Sequence, residues 1–422
     1  MRELESRYPS ELVVIGVESG KYHAERITTR IRDASIRLEA AHPVLNDRQF
    51  RTWRSYAVSA WPTLVVVNPA GYVIGVHAGE FTADMLAPFI ETQIESARES
   101  GTLRTEPLHF EPDAPTIEPS MLRYPGKIVV EGERIAIADS GNHRVLVGKL
   151  ADDGKSMKIE LTVGSSAPGF SDGREGQFHT PQGMAFAGDT LYVADEENHS
   201  IRAVDLNTGE IRTIAGTGKQ MRTRADTQAG AMSSPWDVAL VGDTLFVAMA
   251  GVHQIWALDT KTGRSRVHSG TGGEDIRDGA HHEALLAQPM GITAVGDRLY
   301  FADSESSAIR WADTSPEGSV GTIVGTGLFD FGDVDGKGDD VRLQHPQGVA
   351  VFGNDLLVAD SYNDCIKIVN PELRTSAVWL RELHEPEGIA CTSRQAYIAD
   401  TNAHRIVVAD LATRSVADLR IE

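Results

Sequence analysis

The chain has 422 residues, 41% of them hydrophobic and 24% charged, proportions of soluble globular protein at a length that allows more than one domain. Its net charge of −20 is uneven: residues 1–110 hold 12 Lys+Arg and 14 Asp+Glu, or −2, and the remaining 28 basic and 46 acidic residues leave −18. An acidic surface repels phosphate backbones, which argues against nucleic-acid or anionic-membrane partners, and no apolar run is long enough to span a bilayer.

Residues 1–101 read as α/β. Met1-Arg2-Glu3-Leu4-Glu5 is charged and lacks the apolar core of a signal peptide. Leu12–Val17 is a buried-strand run, and a helix is expected over 22–40 with Ile27, Ile31 and Leu38 on one face. His42–Leu45 is a short extended piece and 47–56 is helical. Ser59-Ala60-Trp61-Pro62-Thr63 leads into the strand Leu64–Val67, Asn68-Pro69-Ala70-Gly71 turns into Tyr72–His77, and a closing helix spans 82–99.

This order resembles the second half of a thioredoxin-like fold, with Trp61, Pro62 and Thr63 in the place of that family's cis-proline segment. The resemblance implies a central strand and a C-x-x-C ahead of the first strand seen here, and neither is present. The domain is therefore expected to be truncated and redox-dead as given, its strand edges at 12–17 and 63–67 left unpaired. Either the native chain starts upstream of Met1, which is the favoured expectation, or the fold has adapted; an upstream segment carrying the C-x-x-C would make the alternative function that of a thiol–disulfide oxidoreductase. The only cysteines, Cys365 and Cys391, form no C-x-x-C, which excludes a disulfide framework and a Cys-rich zinc site. Two free thiols fit a reducing cytoplasm.

Residues 102–119, with Pro107, Pro112, Pro115 and Pro119, read as a semi-rigid linker. From 120 to 422 one pattern recurs six times. The copies open at Pro125-Gly126, Pro181-Gln182-Gly183, Pro235-Trp236-Asp237, Pro289-Met290-Gly291, Pro346-Gln347-Gly348 and Pro386-Glu387-Gly388. About a dozen residues later an apolar strand ends in Ala-Asp, at Asp139, Asp195, Asp303, Asp360 and Asp400, with Met249 in the third copy. The prolines stand 56, 54, 54, 57 and 40 residues apart, and the Ala-Asp sites keep the same spacings. Within residues 183–216, apolar alternation between Gly188-Asp189 and Asn207-Thr208-Gly209 marks four strands. Four short strands cannot bury both faces of their sheet, so stacking six copies about an axis predicts a six-bladed β-propeller. Ser415–Ile421 can supply the last blade's own outer strand, and closure by 107–110 is possible but not needed.

The turns after Ala-Asp carry Asn142-His143, Asn198-His199 and Ala403-His404, with Asn363 at the matching place in the fifth copy. They resemble the NHL repeat, in register over residues 120–422; the third copy (Met249, Val252, His253) and the fourth (Ser306, Ser307) depart. Behind a thioredoxin-like domain, such a propeller resembles the NHL repeat-containing protein 2 type of architecture. The repeated Asp, Asn and His are expected to serve each blade: Asp capping the turn, Asn tolerating a left-handed backbone, His donating to a carbonyl across strands.

Long connectors at 164–180, 216–234, 270–288 and 325–345 all fall on one face, which is expected to bind a protein or small ligand. Asp172-Gly173, Asp278-Gly279 and Asp335-Gly336 read as turns. Asp330, Asp333, Asp335 and Asp339 offer carboxylates for Ca²⁺, but their spacing is not that of an EF-hand loop. His281-His282-Glu283 invites zinc, yet adjacent side chains diverge and no third ligand is evident. No catalytic residue and no cofactor are expected, and the protein is expected to be a monomer. A propeller hydrolase or lyase with a central metal ranks last, because the inner-strand openings are mostly apolar.

Overall fold

The computed structural model describes residues 1–106, 108, 110 and 120–422. The chain divides into two compact units, Met1–Glu118 and Pro119–Glu422. Most of the expected linker, and with it Pro107 and His109 of the segment offered for closure, lies outside the described residues.

In the first unit a short strand, Gly16–Glu18, pairs in parallel with Val44–Asn46. A separate hairpin joins Thr63–Val67 to Val73–Ala78, turned by Asn68, whose side chain accepts the N–H groups of Ala70 and Tyr72. Among the described residues the two sheets share no ladder. Helix Ala83–Glu99 is capped by Thr82 and packs Ala87 and Ile90 on Leu4 of helix Arg2–Arg7. The strand expected over 12–17 starts four residues later than its apolar run, and Val13, Ile15 and Val17 stay 41–60% exposed. Asp47 accepts N–H bonds from Arg51, Thr52 and Trp53 and so starts helix Arg51–Ser55. The Trp61–Pro62 peptide bond is cis, and Trp61 Nε1 donates to the Ser19 carbonyl at 2.8 Å.

The second unit is a six-bladed propeller. Blade two shows the pattern, with Pro181–Ala187, Thr190–Asp195, Ser200–Asp205 and Ile211–Gly216 running antiparallel from the axis outwards. Apolar residues of neighbouring blades mesh into a core at every boundary. One cluster joins Val145 and Ala136 to Met184, Phe186 and Val193; another joins Ile137 and Leu146 of the first blade to Tyr397 and Val408 of the last. The ring is thus closed by core packing as well as by backbone.

Backbone closure differs from expectation. Only Val416–Asp418 serves as the last blade's outer strand. Arg420 and Ile421 then cross to the first blade and pair in parallel with Ser156 and Met157. The Glu422 N–H donates to Met157 O at 2.9 Å, and the Ile159 N–H donates to Glu422 O at 2.8 Å. A break after Asp418 lets the final residues leave their own sheet, and the first blade's outer strand, Ser156–Val163, offers them a free edge.

Candidate functional site: the loop face and its braces

Each blade's second strand ends in the Ala-Asp site, and the turn that follows latches the next blade. At the turn's last position the backbone is left-handed in all six blades: His143, His199, His253, Ser307, Asp364 and His404, with φ between 47° and 55°. The residue before each blade's Pro is left-handed as well, and its N–H donates across the boundary. Thr180, Ser234, Gln288 and Tyr124 donate to Nδ1 of His143, His199, His253 and His404 at 3.0–3.2 Å. His345 donates to Ser307 Oγ and Glu385 to Asp364 Oδ1. The histidine therefore accepts from the next blade, where donation to a carbonyl was expected. It also holds the left-handed position expected of Asn. Asn142, Asn198 and Asn363 instead donate to Asp139, Asp195 and Asp360 at 2.7–2.8 Å.

The repeated Asp works with both oxygens. One takes the N–H two residues ahead of its own blade's Pro, at Arg123, His179, Ala287, Gln344 and His384, for Asp139, Asp195, Asp303, Asp360 and Asp400. The other faces a cation in most of these blades. In blades two and four this is a third-strand Arg seven residues on: Arg202 bonds Asp195 at 2.6 Å and Arg310 bonds Asp303 at 2.8 Å. Lys367 holds the same offset from Asp360 in blade five. In blades one and six the cations are Arg144 and Arg405, five residues on. Burial pushes the carboxyls of Asp195 and Asp360 up, to about 6 and about 7, against the pull of their hydrogen bonds.

Arg202, Arg310 and Lys367 are fully buried, and their second partners are the Asp-Gly connectors. Arg202 bonds Asp172 at 2.8 Å, Arg310 bonds Asp278 at 3.0 Å, and Lys367 bonds Asp335 at 2.7 Å and Asp333 at 2.5 Å. Each Asp-Gly also pairs with the outer strand of its own blade, at Gly173–Ile211, Gly279–Val320 and Gly336–Ser376. Three of the four long connectors are thus braced arms rather than plain turns. Blade three replaces the whole device: Met249 and Trp256 are buried and apolar.

The acidic loop resolves accordingly. Asp333 and Asp335 face Lys367, Asp339 bonds Arg374, and Asp330 accepts from Thr326 Oγ1. Asp333, Asp360 and Cys365 lie close together; burial pushes the Cys365 thiol up, away from the thiolate a metal needs. His281 bonds Ser269 at 2.7 Å and Ser315 O at 3.0 Å, whereas His282 is exposed.

A family model for the NHL repeat matches residues 343–369, which take in the first two strands of blade five and most of the third. NHL repeat-containing protein 2 of Gallus gallus is 36% identical over 481 residues, covering 100% of this chain and 65% of that protein; that of Homo sapiens is 35% identical with the same coverage. The chain is similar to NHL repeat-containing protein 2 over its whole length. It spans 65% of the length of these relatives. Protein SUPPRESSOR OF QUENCHING 1, chloroplastic, of Arabidopsis thaliana is 35% identical, covering 97% of this chain and 42% of that protein. Family likeness runs through the α/β unit as well as the propeller, since the relatives align along the whole chain. Among the described residues no helix is long and apolar enough to cross a membrane.

Proposed function

We propose that this chain is a non-catalytic binding scaffold that holds a protein or small ligand on the propeller's loop face. The observation that carries this reading is the bracing of 164–180, 270–288 and 325–345 by buried Arg202, Arg310 and Lys367. A surface fixed in advance loses less conformational entropy on binding. Phe170, Phe329 and Val334 stand 42%, 70% and 47% exposed on these arms, the kind of apolar anchors that binding surfaces use. The test is cross-linking and capture of partners by the full chain from its source cells, repeated with Phe329→Ser and Val334→Ser combined. Specific partners should be lost while thermal stability holds; undiminished capture would sink the reading.

With its own residues the chain does no thiol chemistry. Burial pushes the Cys391 thiol up to about 12 and Cys365 up as well, so neither supplies a thiolate near neutral pH. No reduction of insulin disulfides is expected from residues 1–422. The protein is read as a cytoplasmic monomer.

A second reading, thiol–disulfide oxidoreductase, is favoured by the two separate sheets of the α/β unit, whose free edges at Gly16–Glu18 and Thr63–Val67 suit an added strand. It needs an upstream C-x-x-C. An N-terminal peptide of the native protein that contains one would move this reading to first place.

A further inference from the structure

We propose that the propeller axis is a cation site whose resident occupant is the ammonium of Lys127. Two residues after each blade's Pro, the inner strands of neighbouring blades approach one another closely. Four blades have glycine there: Gly183, Gly291, Gly348 and Gly388. A Cβ would lie 2.5 Å from Gln347 O at Gly291 and 2.6 Å from Gly126 O at Gly388, so side chains are excluded by the next blade's backbone. Blades one and three break the rule with Lys127 and Asp237.

The Lys127 side chain crosses the axis. Its Nζ donates to the carbonyls of Met290 at 2.9 Å and Glu387 at 3.3 Å, and to that of Gln347. Asp237 Oδ2 stands 3.6 Å away and itself accepts from the Ile292 N–H. An ammonium has three donors, and here it meets three carbonyls and one carboxylate, each from a different blade. Rings of backbone carbonyls are also how proteins replace the water around a small monovalent cation. Lys127 is only 4% exposed, so the pair is withdrawn from water and neither partner is tolerated alone. Burial lowers the Lys127 pKa, offset by Asp237 and Glu387. The bare site would take a primary ammonium or a monovalent cation. The tethered occupant closes the axis, leaving ligands the rim of the loop face. This assignment holds whatever partner that face takes.

The test uses the full chain. Lys127→Ala leaves the carbonyl cage without its cation, and n-propylammonium has the atoms that the substitution removes. The melting temperature should fall by roughly 6–20 °C and recover in a saturable way with n-propylammonium chloride, but not with tetramethylammonium chloride at equal ionic strength. Lys127→Met should fall similarly and show no rescue, because its stem still fills the path. Asp237→Asn, which keeps shape and removes the charge, should lower the melting temperature by a few degrees even if Lys127→Ala yields no folded protein. Equal effects of the two ammonium salts on Lys127→Ala, or an unchanged melting temperature in Lys127→Met or Asp237→Asn, would overturn the assignment.

Discussion

Blades two and three are neighbours with the same strand plan, but they solve one packing problem in opposite ways. Behind the second strand of blade two lies a buried polar network of Asp195, Arg202 and Asp172, the two former groups fully buried and Arg202 Nε alone of that guanidinium without a partner among the described residues. At the same depth blade three places Met249 and Trp256, and Trp256 Nε1 is satisfied by Gln254 at 2.9 Å. The connector ahead of blade two is drawn onto its own outer strand. The one ahead of blade three, 216–234, lacks an Asp-Gly and instead forms the short helix Arg224–Gln228 under a Thr223 capping box. The difference teaches that this position holds paired charges or apolar side chains, since one charge without the other is stranded in the core.

That comparison breaks first at its buried charges. Arg202→Met removes the cation and leaves the Asp195 carboxylate without it, and should cost about 3–5 kcal/mol, read as a loss of midpoint in urea unfolding. Adding Asp195→Met gives blade two the apolar character of blade three and should recover a large part of the loss; a double variant no more stable than Arg202→Met would refute the equivalence of the two solutions. In blade three, Met249→Asp buries a carboxylate with no cation in place and should cost on the order of 3 kcal/mol. Adding Trp256→Arg supplies that carboxylate with a cation, and the loss should shrink.

A smaller effect separates the brace from the blade. Asp172 is 51% exposed at its side chain yet bonds Arg202 and both the N–H and hydroxyl of Thr213. Those bonds hold its carboxyl below the ordinary range even though burial acts in the opposite direction. Asp172→Asn should cost only about 1 kcal/mol globally. It should nevertheless speed protease cleavage within 164–180 relative to 270–288, whose own brace, Arg310 with Asp278, is intact. Equal cleavage of the two connectors would mean that backbone pairing alone holds them.

The repeat was legible because Pro and Ala-Asp recur in register and strand alternation is a local signal. The braces were hidden because they are not local. In Ser200–Asp205 the alternation sets Arg202 beside Ser200 and Val204 on the face away from Ile201 and Ala203, which reads as a wet face. It is buried because a connector 30 residues upstream in sequence lies over it. A signal existed nonetheless: Asp195, Asp303 and Asp360 each have Arg or Lys seven residues on, and the blade that loses the Asp has Trp there. Lys127 and Asp237 likewise stood out as two charges in a column of glycines. In the α/β unit the order of elements was readable, but strand limits were not. A strand's ends depend on the partner it pairs with, and Gly16–Glu18 pairs along only three residues of Val44–Asn46.

The smallest effect concerns the latches, where blades two and four differ. Blade two closes on blade three through His199 Nδ1, and blade four closes on blade five through the Ser307 hydroxyl. A histidine can accept at Nδ1 only while that nitrogen is unprotonated. Burial, with Arg222 and His179 nearby, pulls the His199 pKa down from 6.5 to about 4. The unfolded chain therefore binds more protons than the folded one between those values, and stability falls as pH drops through that window. Other groups titrate there too: Asp195 and Asp360 are displaced upwards and contribute with the opposite sign. The latch is isolated by difference. His199→Asn keeps an acceptor oxygen for the Ser234 N–H and has no proton to gain. Wild-type stability relative to His199→Asn should be level above pH 7 and decline by about 1 kcal/mol towards pH 4, after allowance for solvent screening at a partly exposed ring. The same comparison made with Ser307→Asn should show no slope of its own between pH 4 and 7, since neither side chain titrates there.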